Sequence, residues 1–273
     1  MAKPKILYVS EEVYPYLPKT HISEIGRYLP QYVQEHKKEI RVFLPRFGNI
    51  NERRNQLHEV IRLSGMNLII NDMDHPLIIK VASIQLARMQ VYFIDNEDYF
   101  HRKFVFRDAN GKFFDDNDDR AIFYARGILE TVKKLRWAPD IVHVHGWFGS
   151  LVPMYLKKIL NDNPLFNEAK IVISLYGDDF EETLPDKFVS NLEIEGLKKE
   201  DLGHYKEKNF VGLMKSAIDY GDAIIMGDEN VNPELVEYAE ASGKPILEYK
   251  SPEEYLEAYN KFYDELLGDK EEE

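Results

Sequence analysis

Three stretches carry side chains whose types and spacing could do chemistry. Asp140-Ile-Val-His-Val-His-Gly-Trp147 sets His143 and His145 at alternate positions of an apolar run, so both point to one face of a strand. His145, at the strand end, reads either as a catalytic group or as a satisfied structural histidine. Tyr14-Pro-Tyr-Leu-Pro-Lys-Thr-His-Ile-Ser23 brings Lys19 and Thr20 to the start of a helix, with Ser23 a natural N-cap and Lys19 either a binding cation or a solvated one. Asp115-Asp-Asn-Asp-Asp-Arg120 opens another helix. There Asp116 and Asn117 suit capping, and the acidic residues suit the positive end of the helix dipole. The run lacks the glycine and terminal glutamate of a calcium loop, so no metal is expected.

These residues need elements to hold them. Lys5-Ile-Leu-Tyr-Val-Ser-Glu-Glu-Val-Tyr-Pro15 and the 140–147 stretch are short apolar runs that end in polar residues, the pattern of buried parallel strands. In an open α/β sheet, ligands bind outside the carboxyl ends of the strands, so the two ends are candidate walls of one cleft. Further strands are expected at 40–45, 60–70, 76–83 (with 71–74 as the turn between these two), 91–95, 171–175, 223–226 and 246–249. Helical spacing covers 23–36, 118–135, 152–160, 210–220, 233–242 and 252–267. Pro30 predicts a kink, or a helix start shortly after it. Strands alternating with helices give a single α/β domain over residues 1–267, a Rossmann-like doubly wound, mostly parallel sheet with helices on both faces. Residues 268–273 form an acidic tail.

The bulk numbers narrow the function. Hydrophobic residues at 44% and charged residues at 30% suit a globular chain with a sizeable core. A formal net charge of −13 argues against nucleic-acid and anionic-membrane partners, which require a basic face. With no cysteine, disulfides, thiolate metal sites and a cysteine nucleophile are excluded. No segment has the length of a signal h-region or a membrane span, so the expected location is the cytoplasm.

The same stretches resemble the N-terminal domain of the bacterial glycogen and plant starch synthases that use ADP-glucose. Lys19-Thr20 matches the first half of the family's Lys-Thr-Gly-Gly loop, with His21 and Ile22 at the two glycines. His143-Val-His-Gly-Trp147 matches His-x-His-Asp-Trp-His at both histidines and the tryptophan, with Gly146 and Phe148 at the departures. Asp116, Asn117 and Arg120 match Asp-Asn-x-x-Arg-Phe, with Ala121 in place of the aromatic. Tyr176-Gly-Asp-Asp-Phe180 stands where the family has His-Asn after a strand. Segments 92–100, 151–156, 209–210 and 216–222 are also similar, and the resemblance spans about residues 3–228.

The resemblance implies a glycosyltransferase that moves glucose from ADP-glucose to an α-1,4-glucan, with no cofactor. It implies catalytic roles for His145 and Asp116, and substrate contacts for Lys19, Thr20, Asn117 and Trp147. The family's enzymes have a second Rossmann-like domain holding most of the nucleotide and supplying cations to the leaving diphosphate. The segment after residue 227 reads instead as elements completing the first sheet. The chain is therefore expected to be inactive or incomplete alone, with a protein partner or homo-oligomer completing the cleft. The alternative is a non-catalytic glucan-binding, regulatory or scaffolding protein of glycogen metabolism.

Overall fold

The computed structural model describes residues 3–268, and the acidic residues after Gly268 lie outside them. In chain order the strands are β1 (Lys5–Ser10), β2 (Glu39–Pro45), β3 (His58–Glu59), β4 (Met66–Ile70), β5 (Met73–Ile84), β6 (Met89–Asp95), β7 (Ile141–His145), β8 (Lys170–Leu175), β9 (Ala223–Met226) and β10 (Ile246–Leu247). The helices are α1 (His21–Glu35), α2 (Glu97–Phe100), α3 (Asn117–Leu135), α4 (Val152–Met154), α5 (Lys187–Ile194), α6 (Phe210–Tyr220), α7 (Pro233–Ala241) and α8 (Tyr255–Leu267).

The sheet runs β10-β9-β8-β7-β1-β2-β6-β5-β3, with β4 paired to β5. Every neighbour from β10 to β6 is parallel, while β5 pairs antiparallel with β6, β3 and β4. This is the doubly wound, mostly parallel α/β sheet that the strand spacing predicts. The central strands are buried on both faces, which is why they read as unbroken apolar runs rather than alternating ones. From β1 the chain steps outward through β2 and β6, then returns to lay β7 on the other side of β1. The point where strand order reverses lies between β1 and β7, where Ser10 pairs with His145.

Tyr259 and Tyr263 of α8 pack against His143 on one face, and α8 touches α1 there. On the other face Gly149 lies against Val9 and Val144, where a Cβ would stand 2.6 Å from Val9 Cγ1. The Tyr124 hydroxyl of α3 reaches the carbonyls of Ser10 (2.6 Å) and Phe43 (3.0 Å), tying that helix to the ends of β1 and β2.

Several boundaries differ from expectation. Helix α1 begins at His21 and runs through Pro30. Thr20 is its N-cap, and Ser23 is the reciprocal partner of a capping box, so Ser23 is not the cap. The β4–β5 turn is the two residues Asn71 and Asp72, both at positive φ, a conformation these short polar side chains tolerate. Pro76 sits inside β5 without breaking it, and its carbonyl accepts from Asn96 Nδ2 at 3.0 Å. The helix after β7 passes from α4 into a π turn over Tyr155–Ile159. Helix α5 was not expected at all, because its eight residues are flanked by polar loops and show only a short apolar stripe.

Candidate functional site

The residues following four strands converge at the switch point. Glu11 and Glu12 follow β1, Trp147 follows β7, Tyr176, Asp178 and Asp179 follow β8, and Asp228 follows β9. With Thr20, His21 and Ile22 from the start of α1, and Phe106, they line a cleft of about 340 Å³. Five lining side chains are carboxyls, and none is lysine or arginine.

The cleft floor depends on a close approach. Gly146 has φ +84°, and a Cβ there would stand 2.1 Å from Glu11 Cδ. Only glycine gives both that backbone and that space. The Glu11 carboxylate therefore slides under the turn and accepts from the Phe148 amide at 3.0 Å. Glu11 is 3% exposed. Burial, then the neighbouring Asp178 charge, pushes its carboxyl well above the usual range. Asp178 is pushed up to about 6, chiefly by burial. Two adjacent carboxyls in one dry corner do not both ionise cheaply, so Glu11 keeps its proton and shares it with Asp178.

Thr20 lines the cleft, donates its hydroxyl to Glu12, and accepts the Ser23 amide at 3.0 Å. His21 Nε2 lies 2.7 Å from the Gly227 carbonyl, so Nε2 carries the hydrogen of that bond. This imidazole occupies the mouth between α1 and the end of β9, where the family loop has a bare glycine. Ile22 is buried below it.

His145 is fully buried, with Nδ1 2.6 Å from the Tyr176 hydroxyl. Tyr176 stands between the imidazole and the cleft. Burial pushes His145 down to about 3, so the ring is neutral, and its Nε2 has no hydrogen-bond partner among the described residues. His143, whose ring centroid is 3.8 Å from that of His145, bonds Tyr263 (2.6 Å) and Ser174 (2.7 Å). Trp147 lines the cleft and packs against Phe106 and Phe180.

The remaining expected residues lie elsewhere. Lys19 is solvent-facing and pairs with Glu24 at 2.8 Å, away from the cleft lining. Asp116 occupies the N-cap position of α3 without a capping bond and is spent on a two-pronged pair with Arg102. It lines a separate hollow with His75, Asp98 and Asp119. Asn117 is buried, donates to the Phe106 carbonyl at 2.9 Å and accepts from Arg120. Arg120 itself is caged by Phe47, Phe100, Phe114 and Phe148. The structure thus gathers Thr20 and Trp147 at the cleft, sets His145 behind Tyr176, and keeps Lys19, Asp116 and Asn117 apart from it. Motif reasoning missed the acidic side chains. The signal that would have found them is plain, since each follows a strand end.

No helix among the described residues is long and apolar enough to cross a membrane, and no group of three His, Asp or Glu there comes together to hold a metal.

The starch synthase catalytic domain family matches residues 5–246. Similar proteins include the glycogen synthase of Chlorobium limicola, 32% identical over 221 residues, covering 81% of this chain and 45% of that protein. The glycogen synthase of Pelodictyon phaeoclathratiforme is 34% identical over 233 residues, covering 85% and 47%. Among solved structures, the catalytic domain of starch synthase IV from Arabidopsis thaliana bound to ADP and acarbose superposes with TM-score 0.70 at 15% identity, covering 90% of this chain and 51% of that one. The chain spans about half the length of the curated relatives it matches. On the family match, the identity to glycogen synthases and the shared fold, this chain belongs to the starch synthase catalytic domain family as a glycogen/starch synthase-like domain.

Proposed function

We propose that this domain takes part in glucosyl transfer from ADP-glucose to an α-1,4-glucan in the cytoplasm, as the half that presents the sugar-facing wall of the cleft. One observation carries the reading: the strand-end cleft is lined by carboxyls and aromatic rings, with no cation. Carboxylates accept hydrogen bonds from sugar hydroxyls, and the Trp147 and Phe106 rings suit the apolar face of a pyranose. A diphosphate entering the same cleft meets like charge. The cations that stabilise a departing diphosphate, usually a dominant contribution to such transfer, are absent from this cleft, and a protein partner or another copy of the chain can supply them. Thr20 and Trp147 contact the substrate in this reading, and His145 acts through Tyr176 as a positioning residue.

Calorimetric titration of this chain with maltooligosaccharides and, separately, with ADP-glucose tests the proposal. Maltooligosaccharides are expected to bind, and Glu12→Gln to weaken them without lowering Tm. ADP-glucose is expected to bind more weakly, and this chain alone to incorporate no glucose into glucan. Tighter binding of ADP-glucose than of glucan, or robust incorporation, would overturn the assignment of the cleft. Glucan binding with no transfer, even when a second half from a relative is supplied, moves the domain to the regulatory or scaffolding reading.

A further inference from the structure

A second hollow lies on the far side of His21, between α1 and α8. It encloses about 260 Å³, and its walls include the rings of Tyr28, Tyr255 and Tyr259. His21 lines both this hollow and the cleft, and its hydrogen bond to Gly227, which lines the hollow, stands between two cavities of different character. The cleft presents five carboxyls. The α1–α8 hollow presents one carboxylate, Glu24, which is already paired with Lys19, and one lysine, Lys250. Lys250 is half-buried and makes no ion pair or hydrogen bond among the described residues. In a chain of net charge −13, a half-buried lysine that lines the same hollow as three tyrosines and has no carboxylate partner among the described residues is free to meet a ligand's charge.

We propose that this hollow is a binding site for a small planar organic anion, an aromatic ring carrying a single anionic group. The ring is held among Tyr28, Tyr255 and Tyr259, and the charge is met by Lys250. Stacked or edge-on aromatic contacts supply the apolar part of the recognition. Lys250, desolvated by the bound ring, supplies a charge-assisted hydrogen bond. The small volume suits a ligand of one or two fused rings. The acidic cleft next door repels the same ligand, so the two cavities sort small molecules by charge. The inference rests on the hollow alone and is independent of the role proposed for the cleft.

The test is titration of this chain with indole-3-acetate and with tryptophol, its uncharged counterpart, followed by calorimetry and by ligand-observed NMR. Indole-3-acetate is expected to bind and tryptophol to bind at least about tenfold more weakly, the effect of losing one charge-assisted hydrogen bond. Lys250→Met should remove that difference without moving the affinity for tryptophol. Leu256→Trp, which fills the hollow, should abolish binding of both while the far-UV circular dichroism and Tm stay near those of the parent chain. If Leu256→Trp unfolds the chain, Tyr28→Ala at the exposed rim serves in its place and should weaken both compounds. Equal affinity for the two compounds, unchanged binding in Lys250→Met, or no binding of indole-3-acetate at millimolar concentration each overturns the proposal.

Discussion

Asp118 sits one residue beyond the Asp-Asn pair that marks the start of α3, and it is 1% exposed with neither carboxylate oxygen hydrogen-bonded. Burial, helped by the adjacent Asp119 charge, pushes it up to about 7. The folded chain therefore holds this proton more tightly than the unfolded chain, whose aspartate titrates near ~3.9. The resulting stability is complete below that value and is lost as pH rises through about 7. Asp118→Asn removes the titration while keeping the shape. At pH 8 the variant should be more stable than the parent by about 1–4 kcal/mol, the cost of ionising a carboxyl that burial holds at about 7. At pH 4 the difference should vanish. Urea denaturation at the two pH values checks this, and an equal difference at both would rule out the buried-proton account. Gly146 is the other residue on which local structure turns, because no side chain shares its space with Glu11.

At the scale of elements, α8 matters beyond completing the sheet. Its Tyr259 and Tyr263 close a buried polar group built from Tyr8, His143, His145, Ser174 and Tyr176. His143 has both ring nitrogens satisfied only because Tyr263 reaches Nδ1 from α8. Lys38, after α1, holds the same helix through Asn260 (2.9 Å) and Asp264 (2.7 Å). Tyr263→Phe deletes one hydroxyl and leaves His143 Nδ1 buried without its partner. The expected loss is about 1–3 kcal/mol, read as a lower urea midpoint at pH 7. Tyr255→Phe, which loses a hydroxyl with no hydrogen bond among the described residues, should leave stability within about 0.5 kcal/mol. If both variants behave alike, α8 is held by packing and not by this network.

The whole molecule sums opposing titrations. His143 and His145 are buried neutral, lowered chiefly by burial, so the unfolded chain takes up protons there first, near ~6.5. Each histidine removes stability as pH falls from that value toward about 3, the folded value of His145. Glu11, Asp118 and Asp178 act in the opposite sense, because their raised carboxyls favour the folded state as pH falls toward the unfolded carboxylate range. One proton of difference is worth about 1.4 kcal/mol per pH unit. Two histidines oppose three carboxyls between about pH 4 and 6.5, and with Glu11 and Asp178 titrating as a coupled pair the net difference there is at most about one proton. We expect a shallow slope in unfolding free energy across that interval, a decline above it as the buried carboxyls ionise, and a steep loss below pH ~4, where the raised carboxyls no longer offset the buried histidines. A steady decline beginning at pH 6.5 would show that the buried carboxyls are not protonated in the fold.

The sequence by itself determined the fold class, the order of the central elements and the family. Continuous apolar runs such as Lys5–Ser10 and Ile141–His145 have one stable use, as strands covered on both faces, and α6 and β9 fall where their periodicity places them. Local signals were weaker where partners come from afar. The extension of β5 ahead of Pro76 depends on pairing with β4, and α5 forms where Asn191 meets Asp119 of α3. The site was legible only in part, for the same reason. Motif spacing names Thr20 and Trp147, which do line the cleft, and also Lys19, Asp116 and Asn117, whose side chains find Glu24, Arg102 and Arg120 first. A side chain's type states what it can bind, and the nearest partner in space decides what it does bind. The acidity of the cleft, the screening of His145 by Tyr176 and the partition made by His21 all join residues more than thirty positions apart, and only the tertiary structure brings them together.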